Sequence, residues 1–456
     1  MILKLKSMIK MPTKIDIFIN YLIKNPIQNI VFFGILLRAF FFLIFYASVT
    51  IFPDSDGYIE LSKLISEFNL KDYHGLRSPG YPLIIAFFNQ DLYYVIFFQF
   101  CIGILSTVFW YKTLVNYKFS LKSSFIVTIF LGSFINVFFY ETNILVEAIV
   151  LFFISILFYL TSDNILERLT FKNLIGLSLF FGLLVLIKPF YAFLPFLLFA
   201  FLVIKKPSYK TVFSKNIILV VFSLIAYYGW SYVNKVNTGY FAATSYYGLT
   251  NAQNCVYFAE KTPKEFNWIS KPYVFYREKA IRENEDVAMS IWFAYEDGAF
   301  DKYNLTFQEL SIELGKFAKV AIKENPDEYI KQVFFRSWLN FWKPTFKYND
   351  DKFNFKYANK ICVSIWYLQR FILILFRISF LLLIPYYIYQ FIKKRTLTNE
   401  IIIITIVFGN SILQAMVTFG TNDRYSFPYE FIMNILVLMF FKDKLFIPRN
   451  LNTSQQ

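Results

Sequence analysis

The chain has 456 residues, of which 57% are hydrophobic, 22% aromatic and only 17% charged, and its mean hydropathy is positive. Soluble domains run at roughly 45–50% apolar and about 25% charged residues, so a water-soluble globule of this size is excluded. The net charge of +15 does not make a nucleic-acid surface, because the basic residues recur between apolar runs and form no single patch. That is the pattern of membrane topology.

The basic first 27 residues lead into a long apolar stretch with no small-residue cleavage site, so the first span is expected to stay as an anchor. About 20 apolar residues cross a hydrocarbon core of ~30 Å. Runs of that kind, or close to it, lie at 28–51, 91–111, 123–140, 144–161, 173–187, 189–204, 216–233, 366–391, 400–419 and 425–441. Pro189 divides two short ones, and charge decides whether they are one span or two. With ten spans and a cytoplasmic N-terminus, the inside segments hold 20 Lys and Arg and the short outside segments hold 5. Fusing 173–204 puts Lys205, Lys206, Lys210, Lys393, Lys394 and Arg395 outside, against the rule that cytoplasmic loops are the basic ones. Arg38, inside the first run, is expected to snorkel back to the cytoplasmic surface.

The expected fold is therefore an all-α membrane protein, a polytopic helical bundle of about ten transmembrane spans with extracytoplasmic loops carrying short interfacial helices. Its parts are an N-terminal transmembrane module (1–233) with a first outer loop (52–90), a large extracytoplasmic loop domain (234–365), C-terminal spans (366–441) and a cytoplasmic tail (442–456). In the large loop, Thr306 and Glu309 form a capping box ahead of Leu310, Leu314, Phe317 and Ala321 at helical spacing. Asn325-Pro326-Asp327-Glu328 then ends that helix and starts another.

Three segments carry chemistry. After the first span, Pro53-Asp54-Ser55-Asp56-Gly57-Tyr58 sets two carboxylates at the membrane surface. The same residues also suit the cap of a helix beginning near Tyr58. Arg77-Ser78-Pro79-Gly80-Tyr81-Pro82 makes a rigid turn into an apolar half-helix. Gly420 to Pro428 puts Arg424 in a short outside loop, where a cation also serves as a plain interfacial anchor. One histidine, His74, and three scattered cysteines exclude a multi-histidine site and a disulfide framework.

These pieces, in this order and on this side, resemble the GT-C superfamily of integral membrane glycosyltransferases, in particular its bacterial aminoarabinose-transferase and protein-mannosyltransferase-like members. Asp54 with Tyr58 matches an Asp four residues before a Tyr after the first span. Pro79-Gly80-Tyr81-Pro82-Leu83 matches an element that opens an apolar helix. Glu147 matches a Glu near the outer end of the fourth span, Lys188-Pro189 a basic residue before a span-opening Pro, and Arg424-Tyr425 an Arg-Tyr pair opening a late span. Ser55 and Gly57 stand where the family's fuller acidic motif has Glu and Arg, and the sequence does not choose between Asp54 and Asp56 as the base.

The resemblance implies transfer of a sugar, with inversion, from a polyprenyl-phosphate donor to a hydroxyl of a lipid, glycan or protein acceptor. It places that reaction on the extracytoplasmic face of a bacterial inner membrane, with both termini cytoplasmic. The catalytic candidates are Asp54, Asp56 and Glu147. Lys188, Arg424, Arg77 and Arg336 are candidates for the donor phosphate, supported by Tyr58, Tyr81 and Tyr425. Neither a metal nor another cofactor is required, although Asp54 with Asp56 or Glu147 has the hard oxygens a divalent ion takes. Two other readings are a transporter or flippase of lipid-linked saccharide and an O-antigen-type polymerase. The nearly charge-free interiors of most spans speak against the first, and the near-neutral large loop against the second.

Overall fold

The computed structural model describes residues 19–445 apart from 20, 72, 164, 166–168 and 206–214. The basic segment before residue 19, most of the 205–215 loop and the tail beyond 445 lie outside the described residues. Among those described, every regular element is helical, and the only β pairing is an isolated parallel bridge between Thr50 and Asn143.

Each apolar run of the sequence holds a helical element. Five are long and apolar enough to cross a membrane alone: Pro26–Phe45, Leu92–Asn116, Lys215–Thr238, Ala358–Lys394 and Asn399–Val417. Leu121–Gly132 and Ile135–Thr142 make a sixth if counted as one span, bent by 55° where Ser133 and Phe134 interrupt it. Glu147–Ser162, Phe171–Ile187, Pro189–Lys205 and Glu430–Leu445 are apolar and shorter, at 16 or 17 residues. Local signals set their ends. The Asp91 carboxylate accepts from the Tyr93 amide at 2.9 Å, Ser120 caps Ser123, and Gly239, with φ +82°, closes Ile218–Thr238.

The inner helices pack on aromatic contacts, among them the Trp110 and Phe431 rings stacked 5.1 Å apart. The outer helices leave large apolar side chains bare, including Leu43, Ile225 and Leu382. Contiguous exposed apolar surface of this kind is what a lipid environment covers.

One end of the bundle gathers the segments that position the site. Thr50 exchanges backbone hydrogen bonds with Thr142 and Ile144, both 3.0 Å. The Asn143 amide donates to the Lys347 carbonyl at 3.0 Å, and Ser78 Oγ to the Ile187 carbonyl at 2.9 Å. At the opposite end Asn116 pairs with Ser162 at 3.0 Å and Lys442 donates to the Tyr117 carbonyl. Above the first end, helices between 247 and 324 form a lobe with a core of its own, built on Leu249, Phe258, Ile269, Tyr273, Leu314 and Phe317. The capping box is formed there: Thr306 Oγ1 accepts from the Glu309 amide and Glu309 Oε2 from the Thr306 amide. Leu310, Leu314, Phe317 and Ala321 are all buried.

Two local expectations are corrected. The helix after the first span starts at Pro53, not near Tyr58, and its capping group is Ser55, whose Oγ accepts from the Phe52 amide at 2.9 Å. Asp54 is thereby freed from capping. Arg38 does not snorkel. It makes a two-pronged ion pair with Glu141, Nε–Oε2 2.8 Å and Nη2–Oε1 2.6 Å, with both side chains buried. The paired fork satisfies the guanidinium better than a stretched path to the surface, and Gly103 leaves room for it, since a Cβ there would lie 1.8 Å from Glu141 Oε1.

Candidate functional site

Asp54 sits in the first turn of Pro53–Ser66, where the helix terminus favours an anion. Both of its oxygens are taken. Oδ1 accepts from Arg77 Nη2 at 2.8 Å and Oδ2 from Arg424 Nη2 at 2.5 Å. Burial alone raises a carboxylate pKa, but the two guanidinium charges outweigh it and hold Asp54 well below the usual range.

Arg77 is fixed through its backbone. The Tyr73 hydroxyl bonds both its amide and its carbonyl, and Trp230 Nε1 donates to that carbonyl at 3.1 Å. Its guanidinium lies over the rings of Tyr58 and Tyr246, 4.8 and 4.7 Å from their centroids. Gly57 makes this stacking possible, because a Cβ at 57 would stand 3.0 Å from Arg77 Nε. The departure from the family motif at position 57 therefore has a physical counterpart: the space holds Arg77.

Arg424 belongs to a tight helical turn, Thr421–Tyr429, entered through Gly420 at φ +119°. One of its nitrogens reaches Asp54 and another, Nε, lies 3.4 Å from Glu147 Oε1. Glu147 opens helix Glu147–Ser162 and is buried; neither of its oxygens has a hydrogen-bond donor from the protein. Lys188, between helices Phe171–Ile187 and Pro189–Lys205, places Nζ 3.7 Å from the Tyr425 ring centroid. Burial pushes its pKa down, and an anion beside it would push it back up.

These groups surround a cavity of about 220 Å³ whose wall includes Tyr58, Arg77, Glu147, Lys188, Arg424 and Tyr425. Arg77, Lys188 and Arg424 thus face the one lining carboxylate, Glu147, with Asp54 bonded to both guanidinium groups outside the lining, an arrangement suited to a further anion. The structure brings together Asp54, Tyr58, Arg77, Glu147, Lys188, Arg424 and Tyr425 from segments spread over most of the chain. Tyr81 stands one layer behind, edge-on to Tyr58 at 5.2 Å, its hydroxyl donating to Gln99 Oε1 at 2.9 Å. Asp56 and Arg336 are not part of the cluster. Asp56, two positions along the helix, is exposed. Arg336 stacks on Tyr257 at 3.8 Å and bonds Gln332.

Tyr246, Thr244, Thr250, Gln414 and Thr418 also line the cavity and were not anticipated. Gln414 was legible as an amide inside an apolar run. Tyr246 is one of 33 tyrosines, with no motif around it. Among the described residues, no group of three or more His, Cys, Asp and Glu side chains comes together. The Arg424 guanidinium stands between Asp54 and Glu147, the carboxylates proposed to share a divalent ion, and fills that place with a cation. No protein-family model matches the chain, and neither a curated protein nor a solved structure does.

Proposed function

We propose that the chain is a membrane glycosyltransferase of GT-C type, moving a sugar from a polyprenyl-phosphate donor to an acceptor hydroxyl with inversion. One observation carries this reading: two guanidinium groups and an ammonium line a cavity that also presents a buried carboxylate. The cations suit a phosphate and the charge that grows on it as the sugar leaves, which is electrostatic stabilisation of the transition state. A carboxylate suits the proton of an attacking hydroxyl.

The reading includes ten spans with cytoplasmic termini. It is supported by the gathering at one end of residues from 52–90, 141–143, Lys188 and 420–424, because all four are segments that charge assigns to the outer face. The opposite end holds Tyr117, Ser162 and Lys442, from segments assigned to the inner face. The interior between the ends is filled by packed aromatics such as Trp110, Phe139, Phe158 and Phe431, which favours an enzyme over a conduit for saccharide. The cavity has room for a headgroup of monosaccharide size, which favours a single-sugar donor over the oligosaccharide substrate of a polymerase. With cations already in excess, no divalent ion is needed, and chelation should leave the rate unchanged.

The experiment is mass spectrometry of surface glycolipids and glycoproteins from cells with and without the gene. Loss of one sugar from one product class is expected and names donor and acceptor together. The same loss with the lipid-linked precursor accumulating on the inner leaflet, and not on the outer one, points instead to a flippase.

A further inference from the structure

The two carboxylates of the site are held in opposite ways. Asp54 spends both oxygens on guanidinium groups, at 2.8 and 2.5 Å, and is not among the residues lining the cavity. Glu147 lines the cavity, its side chain is 3% exposed, and neither oxygen accepts a hydrogen bond from the protein. Its nearest cation is Arg424 Nε at 3.4 Å, an atom that also has no hydrogen-bond partner. A buried carboxylate with unsatisfied oxygens is expensive to keep. The N-terminus of helix Glu147–Ser162 offsets part of that cost. The remainder is met when a ligand brings a donor.

We propose that Glu147 is the general base that takes the proton of the acceptor hydroxyl, and that Asp54 is a positioning residue that holds Arg77 and Arg424 for the donor phosphate. This rests on the glycosyl-transfer reading and assigns the roles within it. As the acceptor oxygen bonds to the anomeric carbon, its proton passes to Glu147. The bond from that carbon to the phosphate oxygen breaks, and its electron pair stays on the phosphate. The departing polyprenyl phosphate gains one negative charge, which falls beside Arg77, Arg424 and Lys188. Glu147 then returns its proton to water. Asp54 is a poor candidate for this step, because a carboxylate that two guanidinium groups hold ionised has little proton affinity left to drive the transfer.

The test uses the full chain in nanodiscs, as wild type, E147Q, E147D and D54N. Undecaprenyl phosphate is the binding probe, and undecaprenyl-phosphate mannose, glucose, galactose and arabinose are the turnover probes. E147Q is expected to bind undecaprenyl phosphate as tightly as wild type or tighter, since it removes a negative charge, and to lose about 10²–10⁴-fold in kcat. E147D keeps partial activity. D54N is expected to weaken binding tenfold or more and to raise KM more than it lowers kcat. Intact binding in E147Q also shows that this variant folds. Full turnover in E147Q overturns the assignment, as does D54N that binds normally and loses kcat. If none of the four sugars is transferred, the binding arm still decides: weakened D54N with intact E147Q supports the roles, and the reverse overturns them. Wild type that does not bind undecaprenyl phosphate sinks the glycosyl-transfer reading itself, whereas binding with the two roles exchanged sinks only this assignment.

Discussion

Arg424 links the two carboxylates through different nitrogens of one guanidinium, so its loss removes a proposed phosphate contact, takes the cation from Glu147 and leaves Asp54 to Arg77 alone. Arg424→Ala should cut transfer by about 10²–10³-fold, the range for removing one donor that faces developing charge. Arg424→Lys should not restore it, because a point charge cannot reach both partners as a planar fork does. Both are read from single-turnover rates. The pH dependence of the clamp follows from the depressed pKa of Asp54. A carboxylate lowered on folding contributes stability that is complete above its unfolded value, about 4, and lost as pH falls toward the folded one. Thermal unfolding should therefore show no contribution from Asp54 titration between pH 5 and 8, and a decline only below about pH 4. At this scale the sequence revealed Asp54, Arg77, Lys188 and Arg424 because each sits beside Pro, Gly or an apolar boundary that marks a turn. The partner of Arg38 stayed hidden, since Glu141 is 103 positions away and no local pattern joins them.

The same ion pair ties helix Pro26–Phe40 to Ile135–Thr142 inside the bundle. Removing one partner leaves the other buried and uncompensated, so Glu141→Ala should cost about 3–5 kcal/mol, and Arg38→Met with Glu141→Leu should recover much of it. Thermal unfolding in detergent measures both. A second element depends on backbone shape. Gly420 has φ +119° and ψ −94°, a conformation open to glycine, and a Cβ there would stand 3.1 Å from the Ala288 Cβ. Gly420→Ala should shift the Arg424 turn and weaken undecaprenyl phosphate binding several-fold, while the helices, which pack elsewhere, keep their far-ultraviolet circular dichroism. Helices were the most legible feature of the chain, because apolar length, caps and Pro189 are all local signals. The bend at Ser133-Phe134 and the π-helical turn Phe41–Phe45 were not legible, since no local sequence signal marks either.

Across the whole molecule, sidedness is the expectation on which the proposed chemistry stands. Phe68, in the segment expected to form the first outer loop, is 98% exposed, and Lys393 is exposed near the C-terminus of the long helix Ala358–Lys394. In a background with Cys101 replaced by Ser, Phe68→Cys should react with a membrane-impermeant maleimide in intact cells, and Lys393→Cys only after permeabilisation. The reverse result puts the cavity in the cytosol and removes the case for a lipid-linked donor from outside. The lobe above the cavity is fastened around its margin. Gln308 Nε2 donates to the His74 carbonyl at 2.8 Å, Asn254 Nδ2 to the Met416 carbonyl at 3.1 Å, and Thr418 Oγ1 to Gln253 Oε1 at 3.3 Å. A lobe tied at these posts is expected to stay seated on the bundle. If the chain is the proposed transferase, its lipid-linked donor enters sideways along the bilayer, and stapling the lobe down with an engineered cross-link should leave transfer running.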